Sequence, residues 1–163
     1  MVALRRYTDA DFALTEALET DPDAMRELGG PRAVAELAEA HRRRVLDPWW
    51  TTIVIDDGVA VGTIGIWPKE YGGRSIHETG WMVLPAFHGR GIASAALGLL
   101  IKRVRSAPQV DGMHAFPPIS NAPSNALCRK FSFTLLEAAD FNYAGRPLRC
   151  NHWELRTDSG PPP

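Results

Sequence analysis

Apolar positions recur along the chain with two periods, and the changes of period divide it into elements. Val2 to Tyr7 alternates like a strand, with Val2 and Leu4 on one face. A helix follows, carrying Phe12, Leu14 and Leu18, with Thr8 or Asp9 placed to cap it; it fades near Asp21-Pro22. Gly29-Gly30-Pro31 breaks the chain before a second helix with Val34, Leu37, Ala38, His41 and Val45 at helical spacing, stopped by Asp47-Pro48. "WTTIVID" and "VAVGTIGIW" then flank Asp57-Gly58, which predicts a hairpin. Lys69 to Arg74 reads as a glycine-containing loop, and Ile76 to Leu84 as another strand. A long apolar helix is expected from about Gly91 to Arg105, closed before Pro108. "VDGMHAF" reads as a short buried strand and "SNALCRKF" as a short helix started by Asn121 or Ser124. Phe133 to Ala139 and Leu148 to Thr157 read as two last strands.

The order β-α-α-β-β-β-α-β-α-β-β lacks the strict alternation of a doubly wound fold. It predicts an α+β domain over 1–157, with an antiparallel meander and then a parallel crossover through the long helix. The tail "DSGPPP", 158–163, is expected to be disordered, since consecutive prolines join neither helix nor central strand. Composition adds exclusions. Lys plus Arg number 18 against 19 Asp plus Glu, which gives no reason to expect a nucleic-acid groove or a membrane surface as partner. The first residues, "MVALRRYTDAD", lack the apolar core of a secretion signal, and only Cys128 and Cys150 are thiols. A cytoplasmic location with reduced thiols and no metal site is therefore expected.

The informative stretch is "WMVLPAFHGRGIASAALGLLI", Trp81 to Ile101, in which two glycines and an arginine stand at the mouth of a helix. A helix start has about four N–H groups without intrahelical partners, and its dipole adds roughly half a positive charge. Gly89 to Ser94 is thus a candidate pyrophosphate cradle, the alternative being a plain strand-to-helix turn. A P-loop requires Gly-Lys-Ser/Thr, absent here. A dinucleotide fingerprint requires a third glycine where this chain has Ser94.

"VLPAFHGRGIASAAL" resembles the acetyl-CoA loop of the GNAT superfamily of N-acetyltransferases, with His88 at a Gln/Arg place and Gly91 and Ala93 at the two small-residue places. About thirty residues on, "NAPSNALCRKFSF" is similar to the family's second signature at Asn121, Ser124, Leu127, Lys130 and Phe133. The resemblance implies a GNAT fold: a mixed, mostly antiparallel twisted sheet of six to seven strands flanked by about four helices. It implies acetyl-CoA as acetyl donor. Backbone groups of Met82 and Val83 would pair with the pantetheine arm, and a bulge in their strand would splay it from the next to open a slot. Amides of Gly89, Arg90, Gly91, Ile92, Ala93 and Ser94 would hold the pyrophosphate. Asn121, Ser124 and Asn125 would lie at the cofactor, with helix capping the bland alternative for Asn121 and Ser124. Cys128 stands where many members have a tyrosine assigned to protonating the leaving thiolate.

The implied reaction is direct attack of a neutral primary amine on the thioester. A thiol leaving group has a pKa of roughly 8.5, so an acid helps but is not obligatory. Cys128 as acid competes with plain packing, since free cysteine is commonly a small buried apolar residue. Glu78, five positions before Val83, is the expected base, its alternative being a solvated or ion-paired carboxylate. His77 and His114 are second choices; adjacent strand residues face opposite ways, so His77 and Glu78 cannot both face the slot. His41 and His152 read as structural. Trp49, Trp50, Trp67, Tyr71, Phe141 and Tyr143 are the aromatics available to a pocket for a small-molecule or peptide amine, to the core, or to a homodimer contact. A non-catalytic acyl-CoA-binding or sensing module is the rival reading, favoured by Cys128 in the tyrosine place.

Overall fold

The structure, a computed structural model, describes residues 1–143 and 145–157; the expected tail 158–163 lies outside them. Seven strands form one sheet: β1 Val2–Arg6, β2 Thr51–Ile55, β3 Val59–Tyr71, β4 Arg74–Val83, β5 Gly112–Ala115, β6 Thr134–Tyr143 and β7 Arg146–Arg156. Their spatial order is β1-β2-β3-β4-β5-β7-β6. Every junction is antiparallel except β4 with β5, which is parallel. Four helices complete the fold: α1 Phe12–Glu19, α2 Val34–Leu46, α3 Ile92–Arg105 and α4 Ala122–Lys130. This is the mixed, mostly antiparallel α+β sheet expected.

Helix α3 lies in the crossover from β4 to β5. Its Ile92, Ala96, Leu97, Leu100, Ile101 and Val104 recur at steps of one to four and are all buried. They join Ile53, Val61, Ile64, Ile66, Val83, Met113 and Ala115 in one core. Residues opposite one another on paired strands share a face. Gly65, Trp67, Lys69 and Tyr71 of β3 therefore share a face with Gly80, Glu78, Ile76 and Arg74 of β4. Ile64, Ile66, Trp81 and Val83 take the other face, against α3. Glu78 is thus carried on the face turned away from α3.

Several boundaries differ from the sequence reading. Lys69–Arg74 is not a loop: β3 and β4 run on to Tyr71 and from Arg74, and close through Gly72-Gly73 alone. Both glycines have positive φ, 57° and 74°, the mirror-turn geometry whose twist matches the strands. A short 3-10 turn at Asp9–Asp11, with Thr8 as its cap residue, precedes α1. Asn121 rather than Ser124 caps α4; its side-chain oxygen accepts from Ser124 N–H at 3.2 Å. Strands β6 and β7 are longer than expected, because their hairpin extends past Phe141.

Candidate active site

Strands β4 and β5 are paired at one position only, Glu78↔His114. Beyond it, toward α3, no further pair joins them, and we read the unpaired stretch as a slot with its apex at that pair. The expected bulge is not seen in the β3–β4 ladder, which runs without a register shift from Gly62↔Val83 to Tyr71↔Arg74. Opening follows instead from β5 being four residues long against ten in β4. Leu84 N–H donates to Val61 O at 2.8 Å, which fixes the alternation of the ladder. Met82 and Gly80 turn their backbone groups to β3, whereas Val83 and Trp81 turn theirs to the slot. Of the two residues expected to pair with the arm, Val83 presents its backbone to the slot; Trp81, not singled out from sequence, presents the second set.

At the open end the loop meets α3. Gly89 and Gly91 have φ of 73° and 72°, and a Cβ at either would meet nothing within 4 Å. Handedness, rather than crowding within the protein, demands glycine there. Gly91 is the cap residue and offers no side chain, so the first-turn N–H groups of Ile92, Ala93 and Ser94 face outward without intrahelical carbonyls. Two cations flank them: Arg90, whose guanidinium lies 5.1 Å from the Phe87 ring, and Lys130, whose Nζ donates to Ser94 Oγ at 2.6 Å. His88 donates from Nε2 to Val83 O at 2.7 Å, tying the loop back to the slot-facing strand. The substitution of His for Gln/Arg thus has a structural partner that the sequence alone did not disclose.

On the face away from α3, Glu78 is 18% exposed and holds two partners through Oε2: Trp67 Nε1 at 3.1 Å and Lys69 Nζ at 3.2 Å. His114 shares that face. Its Nδ1 lies 2.8 Å from His152 Nε2, both rings buried. Burial is the first cause holding both imidazoles below their usual pKa, and for His152 the neighbouring His114 adds to it. His152 in turn stacks on Phe116 at 4.4 Å, and Tyr71 and Phe141 close an aromatic group around them. Phe116 and Lys69 escaped the sequence reading, and His152, read there as structural, is buried in this group; the loop predicted at Lys69 hid that residue's face. Trp50 stands against Trp67 at 5.2 Å over Gly65, where a Cβ would come within 2.9 Å of its ring. Trp49 packs on the core, with Arg103 at 4.2 Å. Nothing is described of the Tyr143 side chain. His77 points to the opposite face from Glu78, and His41 is bound to buried Tyr7 (Nδ1 to the hydroxyl, 2.7 Å), a structural setting. A cavity of about 590 Å³ opens between the α1–α2 loop and the β6–β7 hairpin, lined by Gly29, Arg32, Glu36, Asn142 and Arg146 among others.

Helix α4 has a different character from that expected. Asn125 is 2% exposed. Its Nδ2 donates to Pro118 O and Asn121 O, and its Oδ1 accepts from Trp153 Nε1 and Asn151 Nδ2, so its side-chain capacity is spent inside the protein. Asn125 is a latch joining α4 to β7. Cys128 is wholly buried in the α3 core, and burial pushes its thiol up to about 12. Asn121 and Ser124 remain half-exposed at the helix start. Among the described residues no group of three or more His, Cys, Asp or Glu is placed to hold a metal, and no helix is long and apolar enough to cross a membrane.

Comparison with solved structures places this architecture. A GNAT acetyltransferase from Bacillus anthracis superposes with a TM-score of 0.82 at 16% identity, over 97% of this chain and 96% of that one. yncA from Salmonella typhimurium, solved with its cofactor acetyl-CoA, gives 0.76 at 22% identity, over 100% and 98%. Spermidine N-acetyltransferase from Vibrio cholerae, in complex with CoA and spermine, gives 0.79 at 14% identity, over 96% and 95%. No curated protein sequence matches the chain. At such identities the structures speak for the fold alone, but a sequence profile supplies the rest: the acetyltransferase (GNAT) domain matches residues 2–134, from the first strand through the slot, the glycine loop and α4. The chain belongs to the GNAT acetyltransferase family.

Proposed function

We propose that this protein is an acetyl-CoA-dependent N-acetyltransferase that moves the acetyl group directly to a primary amine on a small molecule or on a peptide. The observation that carries the reading is the junction of two features: the slot between β4 and β5, and the uncapped first turn of α3 at its mouth. Amides of 89–94, with Arg90 and Lys130 beside them, suit the diphosphate of coenzyme A. Slot-facing backbone of Trp81 and Val83 suits the amides of its arm. The Val83 N–H is positioned for a share in stabilising the thioester oxygen.

Glu78, at the apex, is the base that takes the amine proton. Trp67 Nε1 holds its carboxylate in place. Cys128, sealed in the core, is assigned to packing, and the thiolate takes its proton from solvent or from the amine. Acceptors approach over the face away from α3, past Trp50, Trp67 and the Tyr71–Phe116–Phe141 rings. Complexes of relatives with acetyl-CoA, and with CoA and spermine, support the donor and an amine acceptor.

One observation favours the rival, a non-catalytic CoA-binding module: no acid faces the slot from the Cys128 position. A single experiment separates the two. Free-thiol release from acetyl-CoA is followed across a panel of polyamines, amino sugars and peptides, alongside calorimetric titration with CoA. Amine-dependent thiol release supports the transferase; binding without release across the panel supports the module.

A further inference from the structure

Only three of the chain's 18 basic residues are lysines: Lys69, Lys102 and Lys130. Lys102 and Lys130 are exposed. Lys69 is not on the open surface; it is 27% exposed, on the acceptor face of β3. Its Nζ lies 3.2 Å from Glu78 Oε2, 4.7 Å from the centre of the Phe116 ring and 5.1 Å from that of Phe141. A carboxylate and two aromatic faces within about 6 Å are the surroundings that recognise a primary alkylammonium. The protein thus holds an amine of its own against the residue assigned as base.

The slot places that amine near the thioester. Its apex is the Glu78↔His114 pair, and its mouth is the loop after Val83. Five residues of strand separate the two, about 17 Å. An arm anchored by its diphosphate at 89–94 and lying in the slot carries its far end toward the apex, where Lys69 and Glu78 meet.

Resting on the transferase reading above, we infer that Lys69 is a self-acetylation site, the first primary amine to receive the acetyl group when no other acceptor is present. In the step, the Lys69 ammonium gives one proton to Glu78. The freed nitrogen pair attacks the thioester carbonyl carbon. A C–N bond forms, the C–S bond breaks, and the electron pair leaves on sulfur. The second proton lost by the nitrogen neutralises the thiolate, and Glu78 returns its proton to solvent. The products are an amide at Lys69 and free coenzyme A. The modification removes the cation from Glu78 and leaves the carboxylate to incoming acceptors.

The test incubates the full chain with isotopically labelled acetyl-CoA and no amine, and maps acetyl-lysine by tandem mass spectrometry. Lys102 and Lys130 report the background of chemical acetylation. Expected is labelling of Lys69 roughly a hundredfold faster than either, the share a positioned base supplies, at a rate independent of protein concentration. Lys69→Arg, which keeps the ion pair, abolishes the fast label, and Glu78→Gln brings Lys69 down to background. Labelling of Lys69 no faster than Lys102 and Lys130, in protein that releases thiol with added amines, overturns this inference and leaves the transferase reading standing. Absence of both labelling and amine-dependent release overturns the transferase reading and this inference with it.

Discussion

Glu78 as base and Cys128, as acid or as packing, are the catalytic candidates the sequence offers, and their surroundings separate them. The carboxylate sits at the slot apex with an indole N–H and an ammonium on it, while the thiol is walled into the α3 core. Glu78→Gln is expected to lower kcat by roughly 10²–10⁴-fold with little change in thermal stability, measured by thiol release and calorimetry. Cys128→Ala is expected to do the reverse, losing about 1–2 kcal/mol in urea unfolding and keeping kcat within a few-fold. A collapse of kcat in Cys128→Ala at unchanged stability would restore it as the acid. Asn125→Leu strips partners from buried Trp153 Nε1 and from Pro118 O, and is expected to cost about 3 kcal/mol in the same unfolding measurement. The types of these residues were legible in the chain, but their exposure was not. A signature position tells which helix a residue stands on, and only packing tells which way it faces.

At the scale of elements, the α3 crossover was legible because its apolar spacing and glycine mouth are local signals. The β3–β4 hairpin was misread for a local reason too. "KEYGGR" has the composition of a loop, yet a two-glycine mirror turn needs only two of those residues, and the strands claim the rest. That misreading hid Lys69, whose side chain shares the face of Trp67 and Glu78. The glycine loop yields a prediction with an internal control. Gly91→Ala and Gly73→Ala place a Cβ at nearly the same positive φ, 72° and 74°, with nothing in the protein to meet it. Each is expected to lose about 1–2 kcal/mol of stability. Only Gly91→Ala is expected to weaken CoA binding, by roughly tenfold or more in calorimetric titration, because the proposed site sets a diphosphate against that methyl and not against the one at Gly73. Equal affinities in the two variants would deny the loop its role.

Across the whole molecule, the antiparallel meander and the one parallel junction followed from the order of elements, since a long helix between two strands implies a crossover, whereas the place of β7 between β5 and β6 did not. Long-range meetings were not legible. His114 and His152 stand 38 residues apart and touch only because β5 and β7 pair. Burial first, and for His152 the neighbouring His114 as well, holds these imidazoles below their usual value, against the pull of Glu154 on both and of Glu137 on His152, and with the push of Arg74. The unfolded chain therefore binds protons more readily in this range. Stability from the pair is complete above about pH 6.5 and is lost as pH falls below it. Urea unfolding across pH 7.5 to 5 should show this fall, reduced in a His152→Gln variant; a flat profile would contradict it. The proposed function rests on one physical claim, that coenzyme A lies between β4 and β5 with its diphosphate on α3. Amide hydrogen exchange with and without acetyl-CoA reads that directly. The account predicts slowed exchange at Trp81, Val83 and 89–94, with β1 and β6 unchanged; binding that leaves those amides unprotected, or protects another region, would contradict it.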